Sequence, residues 1–80
     1  MRKYRVEILQ YNENNRLDSQ CNEIAFINTG TNNMFIKKYL IVPGQSLTIS
    51  GNNEELDVTS YDLSFTGGVG NCTVIRKYYV

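Results

Sequence analysis

Thr59-Ser60-Tyr61-Asp62-Leu63-Ser64-Phe65 alternates without a break, with Thr59, Tyr61, Leu63 and Phe65 on one face of an extended chain and Ser60, Asp62 and Ser64 on the other. Successive side chains of a strand point to opposite faces, so this stretch predicts a strand with one dry and one wet side. The same period recurs on either flank. Leu47 and Ile49 alternate with Ser46, Thr48 and Ser50; Cys72, Val74, Tyr78 and Val80 alternate with Thr73, Ile75, Lys77 and Tyr79. At the start of the chain, Tyr4, Val6 and Ile8 are expected on the buried face of a strand from Lys3 to Tyr11, with Arg5 and Glu7 opposite. Three further apolar runs, Ile24–Ile27, Met34–Ile36 and Tyr39–Val42, read as strands by length and β-branched content.

Between these runs lie turn signals. Asn12–Arg16 opens a polar break that extends to about Gln20, and Asn28–Asn33 reads as a hairpin loop. Pro43-Gly44 is the recipe for a type II turn, because Pro presets φ at its second position and Gly accepts φ > 0 at its third. Gly51–Glu55 is a polar connection and Gly67–Asn71 a flexible turn. No apolar residues recur at helical spacing with caps. The expectation is an all-β chain forming one domain over residues 1–80, a small antiparallel β-sandwich of Ig-like type with about seven short strands. A small β-barrel is the alternative, which pattern alone does not separate.

Composition removes several functions. The chain has 80 residues, eight basic and eight acidic, with no His and no Trp. Charge balance leaves no overall field to gather nucleic acid or acidic lipid, so neither is an expected partner. No apolar run approaches the ~18 residues of a membrane span. Met1-Arg2-Lys3-Tyr4 leads straight into strand sequence without the apolar stretch of a secretory signal, which predicts synthesis and use in a cytoplasm. Cys21 and Cys72 are too far apart for a zinc knuckle or redox motif and read as buried thiols, with a disulfide as the sharper alternative.

Without His, no Ser–His or Cys–His nucleophile is possible. Asn52, Asn53, Glu54, Glu55 and Asp57 offer oxygen ligands for calcium, but a solvated acidic loop is the commoner meaning. Arg2, Lys3, Arg5, Arg76 and Lys77 would form a small basic patch if the terminal strands are neighbours, with Tyr4, Tyr78 and Tyr79 to stack on bases. Charged edges that block strand pairing explain the same residues more simply. The expectation is a non-enzymatic protein without catalytic, cofactor or metal site.

Burial does not balance within one sandwich. Ile24–Ile27 and Tyr39–Val42 are apolar on both faces, and a two-sheet sandwich covers only one face of each strand. Edge loops or a partner must cover the other. A partner suits a domain this small, and adjacent tyrosines at the C-terminus put one ring outward. The predicted contact residues are therefore Tyr39, Leu40, Ile41, Val42, Tyr78, Tyr79 and Val80.

Ile27-Asn28-Thr29-Gly30-Thr31, Ile36, Leu40, Pro43-Gly44-Gln45-Ser46-Leu47, Asn52, Glu55, Asp57-Val58 and Tyr61 follow in an order that resembles small β-sandwich, capsid-associated structural proteins of bacteriophages infecting Bacteroidetes-type hosts. The similarity spans Ile27 to Phe65, about half of the chain, and consists mostly of turn chemistry. Those proteins usually carry Asn-Gly in the tight turn where this chain has Lys37-Lys38. Lys is poor at the φ > 0 positions of a two-residue type I′ turn, which predicts another turn type or another register. The resemblance implies a virion protein assembled in the host cytoplasm, a minor capsid or decoration component. Its partners would be the major capsid protein, other virion proteins or copies of itself. The rival expectation is a free-standing carbohydrate-binding module, with Tyr61 and the Asn52–Asp57 loop as its platform.

Overall fold

The computed structural model describes residues 3–80. Eight strands follow one another, β1 (Tyr4–Glu13), β2 (Asn15–Asp18), β3 (Glu23–Asn28), β4 (Met34–Ile36), β5 (Tyr39–Ile41), β6 (Ser46–Ile49), β7 (Ser60–Phe65) and β8 (Val69–Tyr79), with one 3₁₀ turn at Thr66–Gly68. They form two antiparallel four-stranded sheets, sheet A in the order β1-β8-β3-β6 and sheet B in the order β2-β7-β4-β5. The expected antiparallel β-sandwich is the fold. Among the described residues, no helix is long and apolar enough to cross a membrane.

The pairings explain the order. β4 pairs with β5, β3 with β6, β2 with β7 and β1 with β8. These are nested pairs, so the chain is one long hairpin reversing at Lys37-Lys38. Rolling that ribbon up adds β3 against β8 and β4 against β7. This is the path of an eight-stranded jelly roll, an antiparallel sandwich built from two Greek keys. It replaces the Ig-like type with about seven strands by eight strands on this path, and it corrects two further expectations. Asn28–Asn33 is not a hairpin loop, since β3 and β4 lie in opposite sheets and the segment crosses between them. The polar break contains a strand, β2, which has only Leu17 buried and so carries no period to detect.

Leu17, Ile24, Phe26, Met34, Ile36, Ile41, Tyr61, Leu63, Phe65 and Val74 fill the space between the sheets, with Cys21 and Cys72 among them. The alternation read in β7 holds, for Tyr61, Leu63 and Phe65 are all buried. In β1 the facing is reversed. Leu9 and Tyr11 pack on the core, while Tyr4, Val6 and Ile8 are exposed. β1 is apolar on one parity up to Ile8 and on the other from Leu9. Its pairing decides the matter, because Leu9 lies opposite Val74 and Tyr11 opposite Cys72, both core residues.

Turn chemistry is mostly as read. Gly44 has φ +84° and Gln45 N–H donates to Val42 C=O, as a type II turn at Pro43-Gly44 requires. The glycine-rich segment is tighter than expected, since the turn ends at Gly68 and Val69–Asn71 already belong to β8. Gly70 is needed for packing. A Cβ there would lie 2.3 Å from the Phe65 ring, inside contact distance. A Gly70→Ala variant is expected to lose about 1–3 kcal/mol through displacement of that ring, measurable by urea denaturation.

Lys37 and Lys38 have φ +48° and +72°, and Ile36 still pairs with Tyr39. The two lysines therefore sit in the two-residue, positive-φ turn that Asn-Gly favours, with neither a new turn length nor a new register. Lys37 N–H donates to Asp62 C=O at 3.0 Å, so neighbouring β7 holds the turn in place. The left-handed region costs a residue with a Cβ about 1–2 kcal/mol. Replacing the pair by Lys37→Asn and Lys38→Gly is expected to stabilise the domain by ~1 kcal/mol, which raises Tm by roughly 4–8 °C.

Candidate functional site

The residues exposed on the outer face of sheet A make the most distinctive surface. From β1 come Tyr4, Val6 and Ile8, which are 57%, 48% and 62% exposed. Opposite Ile8 lies Ile75 of β8, and opposite Ile75 lies Ala25 of β3, so an apolar row crosses three strands. Tyr4 and Tyr79 meet edge to face at the terminal end, with ring centroids 6.2 Å apart. Lys77 reaches over both rings, its Nζ 4.4 Å from the Tyr4 centroid and 5.0 Å from that of Tyr79, a cation–π contact that covers part of the aromatic surface. The face is apolar along its middle and cationic at one end.

The predicted contact residues do not form one surface. Tyr39 and Leu40 are exposed on edge strand β5 of sheet B, whereas Ile41 is 1% exposed and belongs to the core. Val42 is half-buried beside the Pro43-Gly44 turn. Tyr78 points inward and packs against the core, Tyr79 lies with the outer face of sheet A, and Val80, just past the end of β8, is exposed. Ile41 and Tyr78 are thus corrected to interior positions. Their strands have one dry face, and the parity that puts Tyr79 outside puts Tyr78 inside. The outward facing of Tyr4, Val6 and Ile8 was missed, and its only signal was that β1 is apolar on both parities.

The basic patch also divides. β1 and β8 are neighbours, but Arg5 and Arg76 lie on the inner face and Lys77 on the outer. Arg2 lies outside the described residues. Arg76 has a structural post: its guanidinium pairs with Glu7 and donates to the carbonyls of Asp18 and Ser19, tying β8 to the β2–β3 corner. Arg5 lies over the Tyr78 ring at 4.9 Å. These residues present no common face to a phosphate backbone.

The acidic loop is organised from inside. Asp57 Oδ2 accepts from the Tyr61 hydroxyl at 2.6 Å, and its Oδ1 accepts from Thr59 N–H at 2.8 Å. The Ser19 hydroxyl lies within hydrogen-bond distance of the same carboxylate and of two main-chain carbonyls. Asp57 is therefore spent on the fold rather than turned toward Glu54 and Glu55. Tyr61 is 6% exposed and tilts against Phe26, which removes it as a carbohydrate platform. Both cysteines are free and buried, and burial pushes the Cys72 thiol up to about 11. Among the described residues, no three Cys, Asp or Glu side chains are grouped to hold a metal ion. No protein-family model matches the sequence, and no curated protein matches it.

Partial burial pushes the Asp57 carboxyl up, but the hydrogen bonds from Tyr61, Thr59 and Ser19 outweigh this and bring it down to about 2, against 3.8 when unperturbed. A depressed carboxyl contributes stability that is complete above pH ~4 and lost as pH falls through ~2. Asp57→Asn is expected to cost about 1–3 kcal/mol at neutral pH. It should also remove about one proton from the slope of stability against pH between ~4 and ~2. Denaturant titrations across that range give both quantities.

Proposed function

We propose that the chain is a non-enzymatic virion structural protein, a minor capsid or decoration component of a bacteriophage that acts through protein–protein contacts. The observation that carries the contact role is the row Tyr4, Val6, Ile8, Ile75 and Ala25 on the outer face of sheet A. Apolar side chains aligned on three neighbouring strands, with a cationic aromatic cluster at one end, form the kind of patch that marks a partner surface. The virion assignment comes from the resemblance of the Ile27–Phe65 segment. The jelly-roll path is compatible with it, since that architecture serves coat proteins, though it serves lectins as well. A lattice of repeated weak contacts would give such a small domain high avidity without one strong site.

Mass spectrometry of particles purified from the phage that encodes the chain is expected to find it at a fixed ratio to the capsid subunit. Particles that lack it overturn the reading. A Val6→Ser, Ile8→Ser double variant should keep its far-UV circular dichroism and lose particle association by ~10-fold or more, because only exposed apolar contact is removed.

A further inference from the structure

We propose that β1 is a self-pairing edge, through which two copies of the chain join antiparallel about a twofold axis at Ile8 into one continuous eight-stranded sheet. This deepens the contact reading above and rests on it only in treating the outer face of sheet A as a protein-binding surface.

The first observation is the inequality of the four edges. Sheet A ends in β1 and β6, sheet B in β2 and β5. β6 and β2 are four residues long and β5 three, with Pro43 following shortly after, so those edges are protected by brevity. β1 has ten residues. The second observation is where its main-chain groups point. Lys3 C=O accepts from Val80 N–H at 2.9 Å, which turns Lys3, Arg5, Glu7 and Leu9 toward β8. Tyr4, Val6, Ile8 and Gln10 then direct their N–H and C=O groups to the open side. β8 agrees from its other flank, where Asn22 N–H donates to Lys77 C=O and Tyr79 N–H donates to Asn22 Oδ1. The open row contains no Pro and no charge, the usual guards of an edge. Among the described residues, no strand pairs with it.

The third observation is charge. The chain is basic where β1 begins, with Lys3 just before the strand and Arg5 within it, and acidic at its end, with Glu13. An antiparallel copy therefore brings unlike ends together. Only registers that set open-row residues against one another satisfy the main-chain groups. Centring on Ile8 places Ile8 beside its own copy, Val6 opposite Gln10, Tyr4 opposite Asn12, Arg5 opposite Tyr11 and Lys3 opposite Glu13. Centring on Glu7 would set two carboxylates face to face, and centring on Leu9 runs Tyr4 off the end of the strand. In the Ile8 register the apolar rows of the two outer faces merge across the axis.

Analytical ultracentrifugation over a micromolar-to-millimolar series tests this, with circular dichroism confirming that each variant is folded. The wild type is expected to be a monomer–dimer system, and Ile8→Lys, a charge beside its own copy on the axis, to be monomeric. Lys3→Glu and Glu13→Lys should each raise the dimer dissociation constant by ~10-fold, and the double reversal should restore it. A wild type monomeric at every concentration, or a dimer indifferent to Ile8→Lys, overturns the proposal. Rescue of Glu13→Lys by Arg5→Glu instead of Lys3→Glu overturns the Ile8 register. Monomers that still join particles sink the edge pairing and spare the virion reading, whereas dimers absent from particles do the reverse.

Discussion

Three bends decide whether this chain can fold, because each is a place where the rolled hairpin breaks its own ladder. A ribbon of paired strands can pass from one sheet to the other only by giving up main-chain hydrogen bonds, and buried main-chain groups must find other partners. Short Asx side chains supply them. At the first bend, Asn14 Oδ1 accepts from Phe65 N–H at 2.9 Å. At the second, Asp57 and Ser19 join the β2–β3 corner to the start of β7, and Asn22 reaches from the same corner to the carbonyls of Asn52 and Glu55. At the third, Asn28 is 1% exposed, and its amide donates to Ile41 C=O and Asn32 C=O while accepting from Gly30 N–H. Each clamp joins segments that the nested pairing brings together, so corner and ladder support each other.

This gives physical content to the turn motifs of the resemblance. Asn28-Thr29-Gly30 and Pro43-Gly44-Gln45 are far apart in sequence, yet Asn28 N–H donates to Gln45 C=O and Gly44 N–H to Asn28 C=O. Asp57 is the acceptor at the second bend. These residues are thus the corner fittings of the sandwich, and what they mark most directly is a chain path. A function inferred from them is inferred through the fold, which is why the virion reading also needs an outward surface.

Much of the architecture was legible. β7, β6 and β8 announced themselves by period, and Pro43-Gly44 by backbone preference, because both signals are local. The misread parts depend on distant residues. β2 carries one buried apolar side chain, Leu17, and exists because β7 offers it a ladder. Lys37 and Lys38 defy their propensity because Asp62 and the flanking pairs hold the turn. β1 could have faced either way, and Val74 and Cys72 chose for it. The contact residues suffered most, since Ile41 and Tyr78 are separated from exposed neighbours only by strand parity. Parity is readable only once the core face is known.

The reversed facing of β1 ties these levels together. Had Tyr4, Val6 and Ile8 faced inward, Arg5 and Glu7 would stand on the outer face and the long edge would carry charge, the common protection against pairing. Instead Glu7 goes inward to meet Arg76, whose remaining bonds secure the β2–β3 corner. The register that sets Leu9 and Tyr11 against the core thus also seats this ion pair and leaves an apolar, unguarded edge at the surface. A domain of this size hides a smaller share of its surface than a larger one and gains proportionately more from a partner. In β1 the demands of the interior and the exposure of a contact surface are one choice of register.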